Sequence, residues 1–579
     1  MSITDKKDKT TISVTSVISG DDQSYEANKG WFNNFIDSFK PADVDKIGMN
    51  VDEFEKLTVV EKANVVAANA PLKRALKKRH LQMIAIGGSI GTGLFIGSGG
   101  ALATGGPAAL VIAWTLTGMA MFCTVQALGE LCVAFPVAGS FVQYNTRFVS
   151  PAWGFCMSWN YALAWLVTLP LELVAAAITI DFWDSSINSA AWVTIFLVLI
   201  MFINIFGIKG FGEAEFVFCL IKVIAIIGYI ILGIILNCGG GPKGEYIGAK
   251  YWHNPGAFAS GFKGVCTVFV TSAFSFGGTE LVGLAASESE NPRKMLPSAT
   301  KQVFWRICLF YLISLTLIGF NVPYNDERLL HNSGAAASPF VISIVNAGIK
   351  GLPSVMNAVI IVAICSVCNS AVFAASRTIA SLSDQGYAPK FFGYIDRQGR
   401  PLVGVGISFL FGFLCYLAAS ENHSTIFTWM LSISALSSII TWGSICGCHI
   451  RFRMALKAQG RDTGELTYTA QTGVLGSWFG MILNALIVVA NFWVALFPGS
   501  EADAESFFQT FLCVPVLIVF YLFWLFYTKD FNFFVSPADI DIDTGRREVD
   551  LELLKHEIAE EKAEIAARPF YYRLYKFWC

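Results

Sequence analysis

Long apolar segments fill the chain between two polar ends. Twelve of them are each long enough to cross the ~30 Å hydrocarbon core of a bilayer as a helix. They span residues 81–105, 108–130, 153–180, 191–208, 214–237, 264–286, 304–322, 354–377, 402–419, 425–448, 474–497 and 508–528. The pattern predicts an all-α polytopic membrane protein with twelve transmembrane helices.

The first apolar segment contains four glycines within seven residues, Gly87, Gly88, Gly91 and Gly93. Each glycine costs about 1 kcal/mol relative to alanine in a helix interior, so the sequence predicts a break in the helix here. Inside a bilayer an open backbone persists only where protein or a water-filled cavity satisfies its polar groups. A break therefore indicates a polar site, whereas the alternative is a close helix–helix contact of small residues.

A second glycine-rich stretch, Phe-Ser-Phe-Gly-Gly-Thr-Glu at residues 274–280, lies in the sixth apolar segment. Paired interruptions at corresponding positions of two halves are typical of the midplane site of an inverted-repeat transporter. The two stretches together predict that helices 1 and 6 are both broken.

The polar ends are predicted to lie on one side of the membrane. Residues 1–80 are expected to be a largely disordered cytoplasmic tail, and residues 529–579 a cytoplasmic C-terminal tail. The basic cluster at residues 73–79 directly precedes the first apolar segment, which places the N-terminus inside under the positive-inside rule.

The composition excludes several classes of function. The 579 residues are 54% hydrophobic and 15% charged, with a net charge of −2 and no basic patch suited to a nucleic acid. The spacing Cys365-x-x-Cys368 has no second ligand pair, so no metal site is expected. Phosphate loops of the Gly-x-x-x-x-Gly-Lys type and His-Glu-x-x-His motifs do not occur in the sequence, so we expect neither an enzyme nor a cofactor. Energy for transport must then come from an ion gradient or from exchange.

Three ionisable residues within the apolar segments are candidates for proton coupling, because such side chains are costly in a membrane. Lys222 lies well inside the fifth segment and could gain and lose a proton, or form a permanent ion pair with Glu215 or Glu213. Glu172 and Glu280 could pair with a basic group or relay a proton.

Several motifs resemble those of one family. They are the run of residues 79–95, Ala127-Leu-Gly-Glu-Leu, Trp165-Leu-Val-Thr-Leu-Pro-Leu-Glu-Leu, Gly212-Glu-Ala-Glu-Phe, Gly278-Thr-Glu-Leu-Val-Gly, Asn291-Pro-Arg-Lys and the terminal Phe-Trp-Cys. These motifs are similar to those of the fungal amino-acid permeases, a branch of the amino acid–polyamine–organocation superfamily. The resemblance extends from residue 73 to residue 579.

The resemblance implies a LeuT-like fold of two inverted five-helix repeats plus two peripheral helices. The transporter domain would comprise residues 81–528, with repeat one at 81–237, repeat two at 264–448 and the peripheral helices at 474–528. It implies import of amino acids of broad range across the plasma membrane, coupled to protons and surrounded by membrane lipids. The alternative is an amino-acid-sensing receptor of the same fold that signals through its cytoplasmic tails.

The resemblance also implies roles for individual residues. The substrate carboxylate would meet the N–H groups of Gly91, Thr92 and Gly93, as at a helix N-terminus. The ammonium would meet the carbonyls of Ser89, Phe274, Ser275 and Gly277, and Phe276 would stack over the site as a gate. Lys222 matches a lysine that, in proton-coupled relatives, stands beside the first helix in place of a sodium ion.

The resemblance implies modification of the tails as well. Lys6, Lys7 and Lys9 are candidate acceptors for a ubiquitin-ligase machinery that would move the protein to an endosomal pool. Cys579, beside two aromatic residues, is either palmitoylated or an unmodified terminal thiol.

Overall fold

The computed structural model describes residues 36–41, 56–70, 72–183, 186–331, 338–419, 423–499 and 501–546, together with 560, 563–564 and 567–570. In these ranges the regular structure is helical, and β pairing is limited to two isolated bridges, Pro41 with Asp396 and Leu76 with Ser289. The prediction of an all-α protein is confirmed for this part of the chain.

The helices of the first half are α1 Val59–Ala68, α2 Lys78–Gly87, the π-helix π1 Gly93–Gly97, α3 Ser98–Ala134, α4 Phe141–Phe148, α5 Pro151–Ile180, α6 Ser189–Ile205 and α7 Gly207–Asn237. The middle of the chain forms α8 Lys250–His253, α9 Gly261–Phe276, α10 Leu281–Ala286, α11 Pro292–Trp305, the π-helix π2 Arg306–Ile313, α12 Ser314–Asn321, α13 Glu327–His331 and α14 Pro339–Asn346. The remainder forms α15 Leu352–Asp384, α16 Leu402–Gly412, α17 His423–Ala458, α18 Gly473–Leu496, α19 Ala504–Phe511 and α20 Cys513–Thr528. Short 3₁₀ turns occupy Asp181–Trp183, Lys390–Gly393, Phe413–Ala419 and Thr463–Glu465.

Among the described residues, eight helices are long and apolar enough to cross a membrane, or nine if the bent pair α19 and α20 is one span. One of the eight, Gly93–Ala134, has 42 residues and would be about 63 Å long as a straight helix, twice the bilayer core. It is kinked at Gly106, whose φ is 84°, between the first and second predicted segments. The count of twelve crossings, and the inverted repeat, stay predictions.

The helices differ in how much of their apolar surface is covered. In α5, 78% of the most apolar stretch is buried inside the protein, compared with 28% in α18. A helix that keeps apolar side chains exposed is suited to contact lipid. α18 therefore exposes a large apolar surface, and the assignment of residues 474–528 as peripheral helices stays a prediction.

Backbone hydrogen bonds join the two broken helices at their ends distant from the breaks, just before α2 and just after α10. The Leu76 N–H donates to the Glu288 carbonyl at 3.0 Å, and the Glu290 N–H donates to the Leu76 carbonyl at 3.1 Å. The Glu288 carboxylate also accepts a hydrogen bond from Arg377 of α15 at 2.8 Å, and both side chains are buried. The chain before α2 is thus held against the chain after α10.

The described start of the C-terminal tail packs against α1 and α4. Asn64 of α1 donates to Asp541 at 2.9 Å, while Arg147 of α4 donates to the Asn64 side-chain oxygen at 3.0 Å. Burial alone would raise the pKa of Asp541, but Arg147 and the Asp543 and Thr544 N–H groups outweigh it and lower the pKa. This carboxylate therefore stays charged where the tail meets the body of the protein.

Candidate functional site

The first glycine-rich stretch interrupts its helix at residues 88–92, here called the first break. After α2 ends, the next hydrogen-bonded turn begins where the N–H groups of Leu94 and Phe95 both donate to the Gly91 carbonyl at 3.1 Å. That turn continues through π1 into α3. The N–H groups of residues 91–93 therefore precede the first closed turn, where a helix has donors free for an anion.

The second glycine-rich stretch separates α9 from α10 over residues 277–280, the second break. Gly278 has a φ of 91°, which glycine adopts without strain. The Thr279 N–H donates to the Phe276 carbonyl at 3.2 Å, so it does not reach the Ser275 carbonyl as it would in a continuous α-helix. This break therefore presents carbonyl groups, while the first break presents N–H groups.

The two breaks, with the helical residues beside them, touch each other at glycine positions. A Cβ atom added at Gly93 would lie 2.6 Å from the Ser275 Cα, and one added at Gly278 would lie 3.9 Å from the Ser89 Cα. The first of these distances is too short for any side chain, because the neighbouring atom belongs to backbone that has little freedom to move. Glycine at position 93 is what lets the two backbones meet.

A small cavity lies between the two breaks and helices α5, α15 and α17. Six of the predicted substrate-binding residues line it, namely Ser89, Gly91, Thr92, Gly93, Phe274 and Gly277. Glu172, predicted for proton coupling, lines it as well. The wall also contains residues that the sequence analysis did not select: Trp165, Thr168, Val367, Ser434 and Ser438.

Two predicted binding residues are not among the described residues that line this cavity. Ser275 packs against Gly93, which lines the cavity, and the Phe276 ring packs against the Tyr311 ring with centroids 4.4 Å apart. Phe276 is fully buried. The gating role expected for Phe276 stays a prediction, and in this conformation its ring faces the protein core.

Glu172 is buried on α5 and accepts a hydrogen bond from the Thr92 hydroxyl of the first break. Its second carboxylate oxygen, Oε1, has no hydrogen-bond partner among the described residues. A buried carboxylate oxygen beside a polar cavity needs a donor, so Glu172 is suited to meet a proton or a cationic group there.

Glu280 connects the second break to two helices, α5 and α17, and is not among the described residues that line the cavity. Its carboxylate accepts hydrogen bonds from Tyr161 of α5 at 3.0 Å, from Trp442 of α17 at 3.1 Å and from the Gly278 N–H at 3.3 Å. All three donors are neutral. The carboxylate thereby fixes the second break between α5 and α17.

Lys222 is fully buried on α7. Its amine donates to the Ser366 hydroxyl of α15 at 2.7 Å and lies 3.8 Å from Glu215 Oε1. Ser366 in turn donates to the same Glu215 oxygen at 2.6 Å. The geometry allows the ion pair with Glu215, whereas Glu213 pairs with Arg79 and His80. Within the described residues, the lysine makes its hydrogen bond to α15 and not to the first broken helix.

The helix that carries Lys222 nevertheless contacts the first broken helix. A Cβ atom at Gly87, the last residue of α2, would lie 2.7 Å from the Cβ of Cys219. Cys219 is three residues from Lys222, nearly one helical turn. A change at Lys222 thus occurs next to the contact between α7 and α2.

The sequence analysis missed two buried residues at the edge of the site, Arg306 and Tyr311 of π2. Arg306 lies near the start of the seventh apolar segment, where an arginine usually reaches water, so its position in the sequence did not predict that it is buried beside the site. For Ser434 and Ser438 a signal existed: they are four residues apart, on one face of an apolar helix.

The predicted modification sites Lys6, Lys7, Lys9 and Cys579 lie outside the described residues. They stay predictions.

A sequence model of the family described as amino acid permease matches residues 80–535. That range includes both breaks, the cavity and all helices from α3 to α20. The chain belongs to the amino acid permease family. Membership of this family indicates a multi-pass membrane protein that acts as a transporter and not as an enzyme.

Curated relatives agree over nearly the whole length. The chain is 59% identical to the general amino-acid permease GAP2 of Candida albicans, covering 96% of this chain and 95% of that protein. It is 54% identical to the general amino-acid permease GAP1 of Saccharomyces cerevisiae, covering 94% and 91%. It is also 49% identical to the S-adenosylmethionine permease GAP4 of Candida albicans, covering 96% and 91%. Amino acid permeases this similar are thus named for different cargoes.

Among solved structures, the chain is similar to a manganese transporter of Eremococcus coleocola. The TM-score is 0.50 at 14% sequence identity, covering 84% of this chain and 97% of that one. At this identity the likeness concerns the fold alone. It supports a transporter fold for this amino acid permease.

The contact between the two breaks generates a first prediction. In Gly93→Ala the new methyl group would collide with the Ser275 backbone, and overpacking of this kind costs about 1–3 kcal/mol. We expect amino-acid uptake per molecule at the cell surface to fall at least about tenfold. Gly100→Ala is the matched control, because nothing lies within 4 Å of a Cβ at that exposed glycine. Wild-type uptake by correctly localised Gly93→Ala would show that the close contact is not needed.

Proposed function

We propose that this protein imports amino acids of broad range across the plasma membrane together with protons. The observation that carries the proposal is the meeting of the two helix breaks. One break presents N–H donors, the other presents carbonyl acceptors, and both border one cavity. An amino acid's headgroup carries the complementary pair of charges, a carboxylate and an ammonium.

The carboxylate would bind the N–H groups of Gly91, Thr92 and Gly93. These donors lie at the start of π1, where the aligned peptide dipoles of π1 and α3 favour a negative charge. The contact uses main-chain atoms alone, so it would be the same for every amino acid.

The ammonium would bind the carbonyls of Ser89, Phe274, Ser275 and Gly277. Glu172 would add a negative charge on the cavity wall, with an oxygen that has no hydrogen-bond partner among the described residues. An ammonium bound by a buried carboxylate and carbonyl groups avoids the desolvation cost that excludes lone charges from a membrane.

A broad substrate range would follow if the main chain binds the headgroup and a separate region of the cavity accommodates the side chain. The main chain would recognise the headgroup, and the side-chain region of the cavity includes Trp165 and Val367, which offer apolar surface. A site of this kind discriminates weakly between apolar side chains, because one methylene is worth only about 1–3 kcal/mol.

The proposed function is tested by uptake into cells that lack their own amino-acid permeases. We expect labelled L-alanine, L-leucine and L-arginine to accumulate. We also expect unlabelled amino acids of apolar, polar and basic type to compete, whereas analogues lacking the carboxylate or the amine should not. Failure of surface-localised protein to carry any of the three would contradict transport and leave the sensing receptor as the alternative.

Proton coupling would reside in the group formed by Lys222, Ser366 and Glu215. Adding or removing one proton on the amine changes the charge of a fully buried group at the boundary between α7 and α15. A proton shifts a conformational equilibrium only if it interacts more strongly with one state, and a buried site of opposite charges meets that condition. Glu172 and Glu280 are the further candidates.

The coupling proposal predicts the behaviour of Lys222→Met, which keeps the length of the side chain and removes its titration. We expect concentrative uptake and its dependence on outside pH to be lost, while exchange of internal for external amino acid continues. Lys209→Met is the matched control, since Lys209 is an exposed lysine on the same helix.

A double variant separates coupling from a structural ion pair. Removing Lys222 alone leaves Glu215 as an unpaired buried charge, which is destabilising by about 3–5 kcal/mol. Lys222→Met combined with Glu215→Gln removes both charges. If the pair is only structural, the double variant will regain concentrative, pH-dependent uptake, and that result would contradict a coupling role for Lys222. We expect it to reach the surface and still fail to concentrate amino acid.

A further inference from the structure

Tyr311 contacts the first break and the last turn of α9, just before the second break, with a single hydroxyl group. Its oxygen lies 2.8 Å from the Ser275 carbonyl, 3.1 Å from the Ser89 carbonyl and 3.2 Å from the Ser89 hydroxyl. The side chain is fully buried. Ser89 and Ser275 are two of the residues whose carbonyls would receive the substrate ammonium.

The Tyr311 hydroxyl leaves hydrogen-bonding capacity on both carbonyls that it contacts. A phenol carries one proton, so it donates to only one of the two carbonyls at a time, whereas each carbonyl oxygen has two lone pairs. The Ser275 carbonyl, at the shorter distance, is the better acceptor, and the Ser89 hydroxyl is able to donate to the phenol oxygen. Both carbonyls therefore keep a lone pair for a second donor while the tyrosine fixes their positions.

Arg306 connects the same two helices from the same π-helix. Its guanidinium donates to the Ala85 carbonyl in the last turn of α2 at 2.6 Å, and to the Thr279 hydroxyl of the second break at 2.5 Å. Thr279 donates its own proton to the Phe276 carbonyl at 2.7 Å, so its oxygen is free to accept from the arginine. The guanidinium is buried and braces the end of α2 against the second break.

The π-helical geometry brings these two side chains together. Arg306 and Tyr311 are five residues apart, which in an α-helix would separate their directions by about 140°. In a π-helix each hydrogen bond spans five residues, so two such side chains project towards the same neighbours. Both in fact reach the two broken helices.

We propose that Tyr311 is a positioning residue that sets the spacing of the Ser89 and Ser275 carbonyls for the substrate's primary ammonium, while Arg306 holds α2 against the second break. Tyr311 acts through those carbonyls and does not touch the substrate. The proposal rests on the proposed function. It assigns to π2 the recognition of the amine, independent of side-chain preference and of proton coupling.

The test is Tyr311→Phe, which removes one oxygen atom and keeps the ring that packs on Phe276. Uptake of labelled L-alanine, L-leucine and L-arginine is measured per molecule at the surface, with N-methyl-L-alanine as a competitor. We expect KM to rise about tenfold for all three, which corresponds to about 1.4 kcal/mol, with the maximal rate within about twofold of wild type. The preference for L-alanine over N-methyl-L-alanine should fall by a similar factor, because the carbonyls no longer hold one geometry.

Tyr229→Phe is the matched control. Tyr229 is also fully buried, and its hydroxyl contacts the Ser343 hydroxyl at 2.9 Å, away from the cavity. We expect its KM and its discrimination between the two amines to match wild type.

The outcomes separate three accounts. If Tyr311→Phe lowers only the surface amount or the maximal rate and keeps the wild-type discrimination, Tyr311 is merely structural and the proposal is overturned. If wild type carries none of the three amino acids, the proposed function fails and the proposal falls with it.

Should Tyr311→Phe not reach the surface, Thr279→Val replaces it, because this variant removes the hydroxyl that accepts from Arg306 and keeps the side-chain shape. Unchanged discrimination in that variant would also overturn the proposal.

Discussion

The structure depends on one constraint: main-chain N–H and C=O groups freed inside a membrane must find partners within the protein. Two helices open at glycine-rich stretches, and the open segments meet where Gly93 touches the Ser275 backbone. Some of the missing partners are on neighbouring helices and some lie within the breaks. Tyr311 of π2 donates to the Ser275 carbonyl, just before the second break, and the Glu280 carboxylate within that break accepts from the Gly278 N–H. The Thr92 hydroxyl of the first break donates to Glu172 of α5. The groups that remain, N–H on one side and carbonyl on the other, are those that an amino acid's headgroup would complete.

Buried charged side chains, like the freed main-chain groups, need partners within the protein. Lys222 lies with Glu215 and Ser366, and Arg377 binds Glu288. Lys222 and Glu215 both lie on α7 and reach α15 through Ser366, while Glu288 in the chain after α10 pairs with Arg377 of α15. A change of charge at either group therefore alters a contact with α15. Lys222 differs from Arg377 in that an amine gives up its proton far more readily than a guanidinium. For that reason the lysine is the stronger candidate for coupling, and the arginine for a permanent contact.

Much of this arrangement could be predicted from the sequence, because the effect of glycine on the backbone is confined to its own position and its neighbours. Four glycines in the first apolar segment and the Gly-Gly pair in the sixth marked the positions of both breaks. Gly278 has a positive φ, which glycine adopts without strain. Residues that complete the site from other helices could not be found in this way, since which face of an apolar helix looks inward depends on packing. Tyr311 and Arg306 depend on a π-helix, which apolar periodicity does not reveal. Phe276 is buried against Tyr311 in this conformation, and its expected role as a gate stays a prediction.

The central claim is that the two breaks together hold the amino-acid headgroup. It is tested most directly by an experimental structure of the wild-type protein bound to the amino acid that it takes up fastest. The account predicts the substrate carboxylate within about 3 Å of the N–H groups of residues 91–93, and the ammonium at a similar distance from the Ser89 carbonyl and the second break. Density for the amino acid anywhere else, with the space between the breaks unchanged, would contradict it.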